Sequence, residues 1–182
     1  MSIQRTITPI DNSVYIERPL ASDSQINETL EKSQKSFSLW KNTSIDERIK
    51  IINKFIDNLL NLKSEISKEI CWQIGRPISQ CGNELRGFEE RSRHMVDIAK
   101  ESLQNIPARK NDEFDNFIYK SPLGVIFVMA PWNYPIITAT NTIIPALLAG
   151  NTMVLKHSSQ TPMCAELISQ AFDNTGLPEG VF

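Results

Sequence analysis

Residues 124–135 read Gly-Val-Ile-Phe-Val-Met-Ala-Pro-Trp-Asn-Tyr-Pro, and the change of character within this stretch decides the fold. Residues 124–129 form a continuous apolar run bounded by turn residues, which is typical of a parallel strand buried on both faces. Residues 131–135 carry an indole, a carboxamide and a phenol between two prolines, which stiffen the loop by fixing two φ angles. We therefore predict a buried strand that ends in a rigid polar loop, at the edge where open α/β sheets bind ligands.

The chain after this loop continues the alternation of helices and strands. Residues 136–149 predict a helix that Pro145 should kink or divide, and Gly150-Asn151 predicts a turn. Residues 152–155 predict a second buried strand. The order strand–helix–strand implies a parallel sheet with a right-handed crossover.

A last helix completes this unit. Thr161 is the predicted N-cap and Pro162 the first helical residue, while Gly176 is predicted to end the helix. The residues at helical spacing that should form its buried stripe are Cys164, Leu167, Ile168, Ala171 and Phe172. Residues 181–182 look like the start of a third strand.

The residues before the loop predict helices. Residues 1–20 predict an extended lead-in with a short strand at 14–16. Two capping boxes, Ser22 with Gln25 and Ser44 with Glu47, each open a helix. The first should bury Ile26, Leu30, Phe37 and Trp40 on one face. The second should run to about Ile74, where Gly75 can take the left-handed terminal position.

A third helix should begin with Pro77 in its first turn and end before Pro107. Its predicted inward residues are Ile78, Cys81, Leu85, Phe88, Met95 and Ile98. Gly82 and Gly87 weaken this helix, which close backbone packing would explain. Residues 108–113 predict a polar loop and 114–119 an exposed strand. The predicted fold class is α/β: N-terminal helices, then the first βαβα part of a Rossmann-like parallel sheet. Two parallel strands are too few for such a sheet, so we expect the fold to be incomplete.

Composition narrows the possible functions of the 182 residues. Hydrophobic residues make up 41% and charged residues 22%, as in ordinary globular proteins. A net charge of -2 argues against nucleic acid or an anionic membrane as partner. Neither a membrane-spanning run nor a signal-peptide core is evident, so we expect a cytoplasmic protein. Three cysteines and two histidines lack metal-ligand spacing, so we expect reduced thiols and no metal.

Asn133 is the first candidate for chemistry. A stiff loop can aim a donor before charge develops, and a carboxamide can donate to an oxyanion. The alternative interpretation is that Asn133 satisfies backbone groups in a tight turn, as asparagine commonly does. Spacing alone leaves both interpretations open.

Lys156 and the hydroxyls of Ser158 and Ser159 form a second candidate group at the end of the second predicted strand. A cation, hydroxyls and a helix N-terminus in this order can hold a phosphate or a ribose. Neither strand is followed by G-x-G-x-x-G, so a standard dinucleotide site does not follow from motif. Alternatively, Lys156 is an ordinary solvated lysine.

Several motifs together resemble the aldehyde dehydrogenase superfamily in order and spacing. The matching segments are Leu-Gly-Val at 123–125, Ala-Pro-Trp-Asn-Tyr-Pro at 130–135, Pro-Ala-Leu-Leu-Ala-Gly-Asn-Thr at 145–152, Val-Leu-Lys at 154–156, Gln-Thr-Pro at 160–162 and Gly-Leu-Pro-Glu-Gly-Val-Phe at 176–182. The resemblance is dense from about Pro122 onwards. It is looser over the helical half, where Gly-Arg-Pro at 75–77 resembles a turn of the family.

The resemblance implies NAD(P)-dependent oxidation of an aldehyde to a carboxylic acid through a cysteine thiohemiacetal. It implies that Asn133 stabilises the oxyanion. The implied cofactor-binding residues are Met129, Ala130, Pro131, Trp132, Asn133, Lys156, Ser158 and Ser159. The implied substrate residues are Tyr134, Ile137, Thr138 and Asn141.

Two positions depart from the family. Ser159 stands where NAD-preferring members often have Glu, so a 2′-phosphate would not be repelled and we expect NADP to be accepted as well as NAD. His157 stands where the family more often has Pro, which we interpret as altering only the loop. The run 156–159 resembles some succinate-semialdehyde dehydrogenases, so succinate semialdehyde is a candidate substrate.

The resemblance also implies a domain organisation. Residues 1–182 would be a partial NAD(P)-binding domain without the catalytic domain, and 108–121 would contribute to oligomerisation strands of a homodimer or homotetramer. None of Cys71, Cys81 and Cys164 matches the nucleophile of the family, and its general-base Glu is not matched either, so we expect this chain alone to be inactive. The alternative is a non-catalytic fragment that retains part of a nucleotide-binding fold. The related acyl-phosphate reductases share the fold, but the Pro-Trp-Asn segment argues against them.

Overall fold

The computed structural model describes residues 2–108 and 113–182. The elements in chain order are β1 (Ile3–Ile7), β2 (Val14–Pro19), α1 (Asp23–Trp40), α2 (Ile45–Asn61), α3 (Lys63–Ile74), α4 (Ile78–Ser102), β3 (Ile106–Pro107), β4 (Phe117–Ile118), β5 (Val125–Met129), α5 (Ile137–Leu148), β6 (Thr152–Lys156) and α6 (Pro162–Ala171). The predicted α/β class and the βαβα unit from β5 to α6 are confirmed. None of the helices among these described residues is long and apolar enough to cross a membrane.

The N-terminal lead-in is a hairpin and not one short strand. β1, which was not predicted, pairs antiparallel with β2, and Ile3 lies opposite Pro19. Asn12 takes a left-handed φ of 62° in the connecting turn, where the Thr8 N–H donates to the Ser13 carbonyl at 3.0 Å. β1 lacks the strict alternation of apolar residues that would have indicated a strand.

The helical layer follows the predicted starts more closely than the predicted ends. Both capping serines accept the N3 backbone N–H of their helix, and Gly75 ends α3 with a φ of 73°. The single helix predicted from 45 to 74 was wrong, because Leu62 leaves helical geometry with ψ near 11° and separates α2 from α3. This break allows α3 to pack on α4 and α6 as a separate element.

Several helical residues predicted to face the core are exposed. Ile26 and Leu30 of α1 are 47% and 42% exposed, and Ile78 and Ile98 of α4 are 58% and 41% exposed. Trp40, Cys81, Leu85 and Phe88 are buried as predicted. The buried faces of α1 and α4 are therefore narrower than helical spacing indicated.

α4 and α5 approach each other closely at Gly87. A β-carbon placed on Gly87 would lie 3.0 Å from Cδ1 of Ile137, so the close contact at this glycine is with a side chain and not, as predicted, with backbone. α5 also runs through Pro145 without interruption, so the predicted division of the helix was wrong. Pro145 lacks a backbone N–H, so α5 loses one hydrogen bond. The packing of the buried residues of α5 keeps the helix continuous.

β5 and β6 form the predicted parallel pair, in a register that runs from Val125 opposite Thr152 to Met129 opposite Lys156. The Asn151 carboxamide, just before β6, fixes the segment that leads into β5. Its oxygen accepts from the Leu123 and Gly124 N–H groups at 2.6 and 3.1 Å. On the far side of β6, the Met153 N–H donates to the Val181 carbonyl at 2.9 Å. That contact lies where a third strand was predicted.

β5 is not buried on both faces, which contradicts the prediction. Phe127 and Met129 are 59% and 74% exposed, while Val128 between them is buried. α5 packs against β5 and β6. A groove of about 850 Å³, with Phe127, Leu155, Ile26 and Leu30 in its lining, remains open between the sheet and α1.

Two other predictions differ in detail. Thr161 precedes α6, but its side chain makes no capping hydrogen bond, and the helix ends at Ala171 instead of Gly176. The predicted exposed strand at 114–119 is reduced to β4, which pairs with the unpredicted β3. Most of the predicted polar loop, at 109–112, lies outside the described residues.

Candidate functional site

Both parallel strands end at the same edge, which brings the two candidate groups together. Met129 lies opposite Lys156, and one residue later the Ala130 N–H donates to the Lys156 carbonyl at 3.3 Å. The loop 131–135 and the segment 157–161 therefore leave the sheet side by side. The predicted cofactor residues at the two strand ends therefore meet at one edge of the sheet, and Ala130 among them is buried.

The side chain of Asn133 is available at this edge. Pro131, Trp132, Asn133 and Tyr134 are all exposed, whereas Pro135 is buried. The hydrogen bonds formed among residues 2–108 and 113–182 use the Asn133 carbonyl, which accepts from Arg76, and not its carboxamide. The interpretation that this side chain satisfies backbone groups in a tight turn is therefore not supported.

A buried ion pair holds the loop from the side of α4. The Glu84 carboxylate is completely buried and pairs with Arg76. Its other oxygen accepts from the N–H groups of Ile136 and Ile137, at 2.7 and 3.1 Å, at the start of α5. A carboxylate at this point satisfies unpaired N–H groups and complements the helix dipole.

Arg76 carries this anchorage to the exposed part of the loop. Its guanidinium donates to the Asn133 carbonyl, and its central carbon lies 4.7 Å from the ring centroid of Tyr134. Sequence reasoning did not identify Arg76 or Glu84 as site residues. The available signal was a single carboxylate, Glu84, between the buried positions Cys81, Leu85 and Phe88 of one helix face.

His157 holds the loop from the side of β6. Its Nε2 lies 2.9 Å from the Pro135 carbonyl, and its Nδ1 lies 3.0 Å from both the Ser158 nitrogen and the Thr161 hydroxyl. A backbone N–H can only donate, so Nδ1 accepts and the proton resides on Nε2. Burial lowers the pKa of His157, which favours this neutral form. His157 therefore does more than alter the loop.

The segment after Lys156 is held through its backbone, while polar side-chain groups remain exposed to solvent. The Ser159 carbonyl accepts from Gln4 Nε2 at 2.7 Å and from the Thr6 hydroxyl at 2.8 Å. Lys156 and the Ser159 side chain are exposed, and the Ser158 hydroxyl accepts from the Gln160 N–H at 3.2 Å. An ammonium group and two hydroxyls at one sheet edge, with the exposed indole of Trp132 across it, suit a nucleotide.

The four proposed substrate residues are placed differently from one another. Tyr134 is exposed next to Asn133, and Thr138 is half-buried in the first turn of α5. Ile137 points its Cδ1 towards Gly87 of α4. Asn141 is exposed, but its side-chain oxygen accepts from Arg91 at 2.7 Å. Tyr134 is thus the member of this set that is most open to a ligand at the loop.

Two of the three thiols, those of Cys81 and Cys164, are poor nucleophiles where they lie. Cys81 and Cys164 are completely buried, and burial raises the pKa of each thiol, so that little thiolate forms. Cys71 is half-buried on α3. In the described part of the chain, no three His, Cys, Asp or Glu side chains are grouped closely enough to hold a metal ion.

Comparison with known proteins gives one consistent result. The family model described as "Aldehyde dehydrogenase family" matches residues 2–182. An aldehyde dehydrogenase of Paenarthrobacter nicotinovorans is 31% identical over 161 residues, which are 87% of this chain and 35% of the relative. A probable succinate-semialdehyde dehydrogenase [NADP(+)] of Synechocystis is 32% identical over 177 residues, which are 97% of this chain and 39% of the relative.

The fold is shared with solved structures of the same kind. The crystal structure of an aldehyde dehydrogenase from Bartonella henselae superposes with a TM-score of 0.90 at 28% identity. The match covers 100% of this chain and 38% of the Bartonella protein. The 182 residues thus span little more than a third of the length of the proteins they match.

Proposed function

The chain belongs to the aldehyde dehydrogenase family, and on this premise we propose that it provides the oxyanion donor and part of the nucleotide site of an NAD(P)-dependent enzyme that oxidises an aldehyde to a carboxylic acid. The proposal is carried by Asn133, whose exposed carboxamide is unused by the described residues and is held beside the strand end of Lys156. A donor aimed in advance stabilises the negative charge that develops on a carbonyl oxygen under nucleophilic attack.

The residues at the sheet edge divide the work. Lys156, Ser158 and Ser159 would bind the ribose, and Trp132 with 129–131 would line the cofactor wall. NAD(P)+, when bound, supplies the hydride acceptor. Asn133 would orient the aldehyde by hydrogen-bonding its oxygen, and Tyr134 would line the entrance for the substrate, followed by Ile137, Thr138 and Asn141.

The oxyanion role is tested by Asn133→Ala in the enzyme expressed from the complete reading frame. Loss of the donor should lower kcat about 10²- to 10³-fold with little change in the KM for cofactor. Asn42→Ala is the matched control, because Asn42 is an exposed asparagine after the end of α1 that donates to the Ser38 carbonyl in its last turn. A kcat for Asn133→Ala equal to that of the control would refute the role.

We further propose that NADP is accepted because the exposed Ser159 cannot repel a 2′-phosphate. The related Synechocystis protein is named for NADP(+), which supports this preference. Ser159→Glu should then lower kcat/KM for NADP+ by at least about tenfold and leave that for NAD+ nearly unchanged, since a carboxylate repels the phosphate. Equal effects on both cofactors would contradict the proposal.

For substrate we propose succinate semialdehyde, which also rests on the name of that relative. The comparison that tests it is kcat/KM for succinate semialdehyde against butyraldehyde, which has the same chain length without the carboxylate. A preference for butyraldehyde would exclude the proposal. We also propose a homodimer or homotetramer, because Phe117, Ile118 and Tyr119 around β4 are exposed; light scattering on the complete protein tests the assembly. A cytoplasmic location remains part of the proposal on composition alone.

A second function applies to the 182 residues by themselves: nucleotide binding without turnover. The observation that favours it is the burial of Cys81 and Cys164, which keeps their thiols protonated. NADP+ should quench the fluorescence of Trp132 in this chain, and Trp132→Phe should abolish the quenching. Added aldehyde should produce no reduced nicotinamide; if it does, the chain is an enzyme by itself.

A further inference from the structure

His157 is the single described side chain that bonds both functional segments of the sheet edge. On one side its Nε2 reaches the Pro135 carbonyl at 2.9 Å, two residues after Asn133. On the other side its Nδ1 takes the Ser158 N–H and the Thr161 hydroxyl, each at 3.0 Å. The ring is 8% exposed, so water competes little for these bonds.

We propose that His157 is a positioning residue whose neutral imidazole, protonated on Nε2, couples the loop of Asn133 to the segment that holds Lys156, Ser158 and Ser159. Movement of either segment then changes the orientation of the other. The effect on catalysis rests on the oxyanion role proposed for Asn133, whereas the bridge itself does not.

The hydrogen-bond partners select this protonation state. A second proton, on Nδ1, would face the Ser158 N–H and break that bond, because two donors cannot pair. Of the nearby charges, Glu84 on α4 favours the cation and Lys156 on β6 opposes it. Burial is the largest influence and, with Lys156, outweighs Glu84 and the hydrogen bonds to Pro135 and Ser158, so the pKa of His157 is lowered.

Acidification should therefore rearrange the bridge without breaking it. Once His157 is protonated, the Pro135 carbonyl still accepts from Nε2 and the Thr161 hydroxyl can accept from Nδ1, but the Ser158 N–H loses its acceptor and the backbone at Ser158 must move. The loop of Asn133 and the segment after Lys156 should then take a different relative arrangement. We expect the rate of the chemical step to depend on this bridge and the KM for aldehyde to depend on it far less.

The bridge can be observed by NMR in the ¹⁵N-labelled 182-residue chain, independently of any enzymatic activity. The ring nitrogens of His157 should show the Nε2–H tautomer at neutral pH, and the exposed His94 serves as the internal reference. As the pH falls, the side-chain amide of Asn133 and the indole of Trp132 should shift together with His157. Shifts that follow His94 instead, or the Nδ1–H tautomer, would overturn the proposal.

Two substitutions separate bridging from titration. In His157→Gln the amide can still donate to Pro135 and accept from Ser158, but it does not titrate, so the Asn133 signals should lose their pH dependence. His157→Phe keeps a planar ring without nitrogen, so it should uncouple the segments at every pH. If His157→Gln keeps the pH dependence of the parent chain, His157 is not the coupling residue.

The kinetic consequence is measured in the enzyme expressed from the complete reading frame. His157→Phe should lower kcat about 10- to 100-fold, which is typical of a misplaced catalytic group, and His157→Gln should restore most of the loss. His94→Gln is the control. An enzyme with no aldehyde oxidation at all would refute the proposed function and leave the NMR result to decide the bridge.

Discussion

At the scale of single residues, Glu84 has two roles: it caps the start of α5 and it pairs with Arg76. Its carboxylate satisfies the first N–H groups of α5 and also neutralises Arg76, which holds the Asn133 carbonyl. A completely buried charge is tolerated only when it is paired and hydrogen-bonded, and both conditions are met here. Removing one partner should be costly, because the other partner remains at a largely buried position.

Glu84→Gln should therefore destabilise the protein by about 3 kcal/mol, since it leaves Arg76 without its counter-charge. The measurement is the free energy of unfolding in urea. Glu47→Gln is the control, because the same change there removes an exposed charge that pairs with Lys50 in the first turn of α2. Such exposed pairs contribute little to stability, so two equal losses would show that the buried pair is not special.

The neutral state of His157 makes stability depend on pH in a definite direction. Its pKa in the folded protein lies below the ordinary histidine value of about 6.5, because burial penalises the charge. The unfolded chain therefore binds more protons in this range, so the free energy of unfolding falls as pH drops below about 6.5 and levels off below the folded pKa.

Urea unfolding at a series of pH values between neutrality and this range measures the effect. The slope should be smaller in His157→Gln than in the parent chain, since glutamine does not titrate. His94→Gln should leave the contribution of His157 intact. A slope that is unchanged in His157→Gln would show that other groups cause the acid sensitivity.

The placement of Asn133 and Lys156 at one edge could be predicted from sequence because each lies at the end of a recognisable strand, and the carboxyl ends of parallel strands meet at one edge. Glu84 and His157 could not be assigned roles in the same way. Glu84 acts on N–H groups 52 and 53 residues away, and His157 on a carbonyl 22 residues away. Such pairs depend on how helices pack against the sheet, which local patterns do not determine.

At the scale of elements, the contact between α4 and α5 sets the position of the functional loop. Glu84 and Gly87 lie one turn apart on α4, and both face the first turn of α5. Local signals predicted where helices begin, because a capping serine acts within its own helix. They did not predict the break at Leu62, since that break serves the packing of α3 against α4 and α6.

Gly87→Ala and Gly82→Ala should differ, although each replaces a helical glycine by a residue that favours the helix by about 1 kcal/mol. The new β-carbon at 87 would meet Cδ1 of Ile137 at 3.0 Å within the helix contact. At 82 it would lie 3.2 Å from Cε of Lys63, at the end of a flexible side chain that can move. Gly82→Ala should thus stabilise the protein, and Gly87→Ala should not.

A double variant isolates the cause. Ile137→Val removes Cδ1, so in that background Gly87→Ala should recover the benefit of alanine, again about 1 kcal/mol. The shift in thermal unfolding midpoint of the four combinations gives the coupling. If the two changes are simply additive, contact with Ile137 is not what favours glycine at 87.

At the scale of the whole molecule, α5 packs on one face of the parallel sheet, and α1 covers the other face only in part. Parallel sheets usually have both faces covered, and the apolar run 124–129 was interpreted accordingly. An apolar run indicates that a strand can be buried on both faces. Whether both faces are buried depends on which helices pack against the sheet. Phe127 therefore lies in an open groove of about 850 Å³ beside Ile26 and Leu30.

Val128→Thr should mainly lower the stability of the protein, whereas Phe127→Thr should mainly change the surface of the groove. They are neighbours on β5, but Phe127 is 59% exposed and Val128 is 7% exposed. Val128→Thr buries a hydroxyl and should cost about 1–3 kcal/mol in urea unfolding. Phe127→Thr should change stability less and should reduce the binding of a fluorescent apolar dye to the groove; equal losses of stability would contradict the open face.

The bonds from Gln4 and Thr6 to the Ser159 carbonyl join residues 155 and 153 positions apart. During synthesis, Gln4 and Thr6 leave the ribosome long before Ser159 exists. The ordering entropy of so long a loop is repaid only when the segment after Lys156, proposed above to bind the ribose, is in place. A purification tag or a deletion beside β1 would thus lie, in three dimensions, next to the proposed nucleotide site, and cofactor affinity is where its effect should be sought.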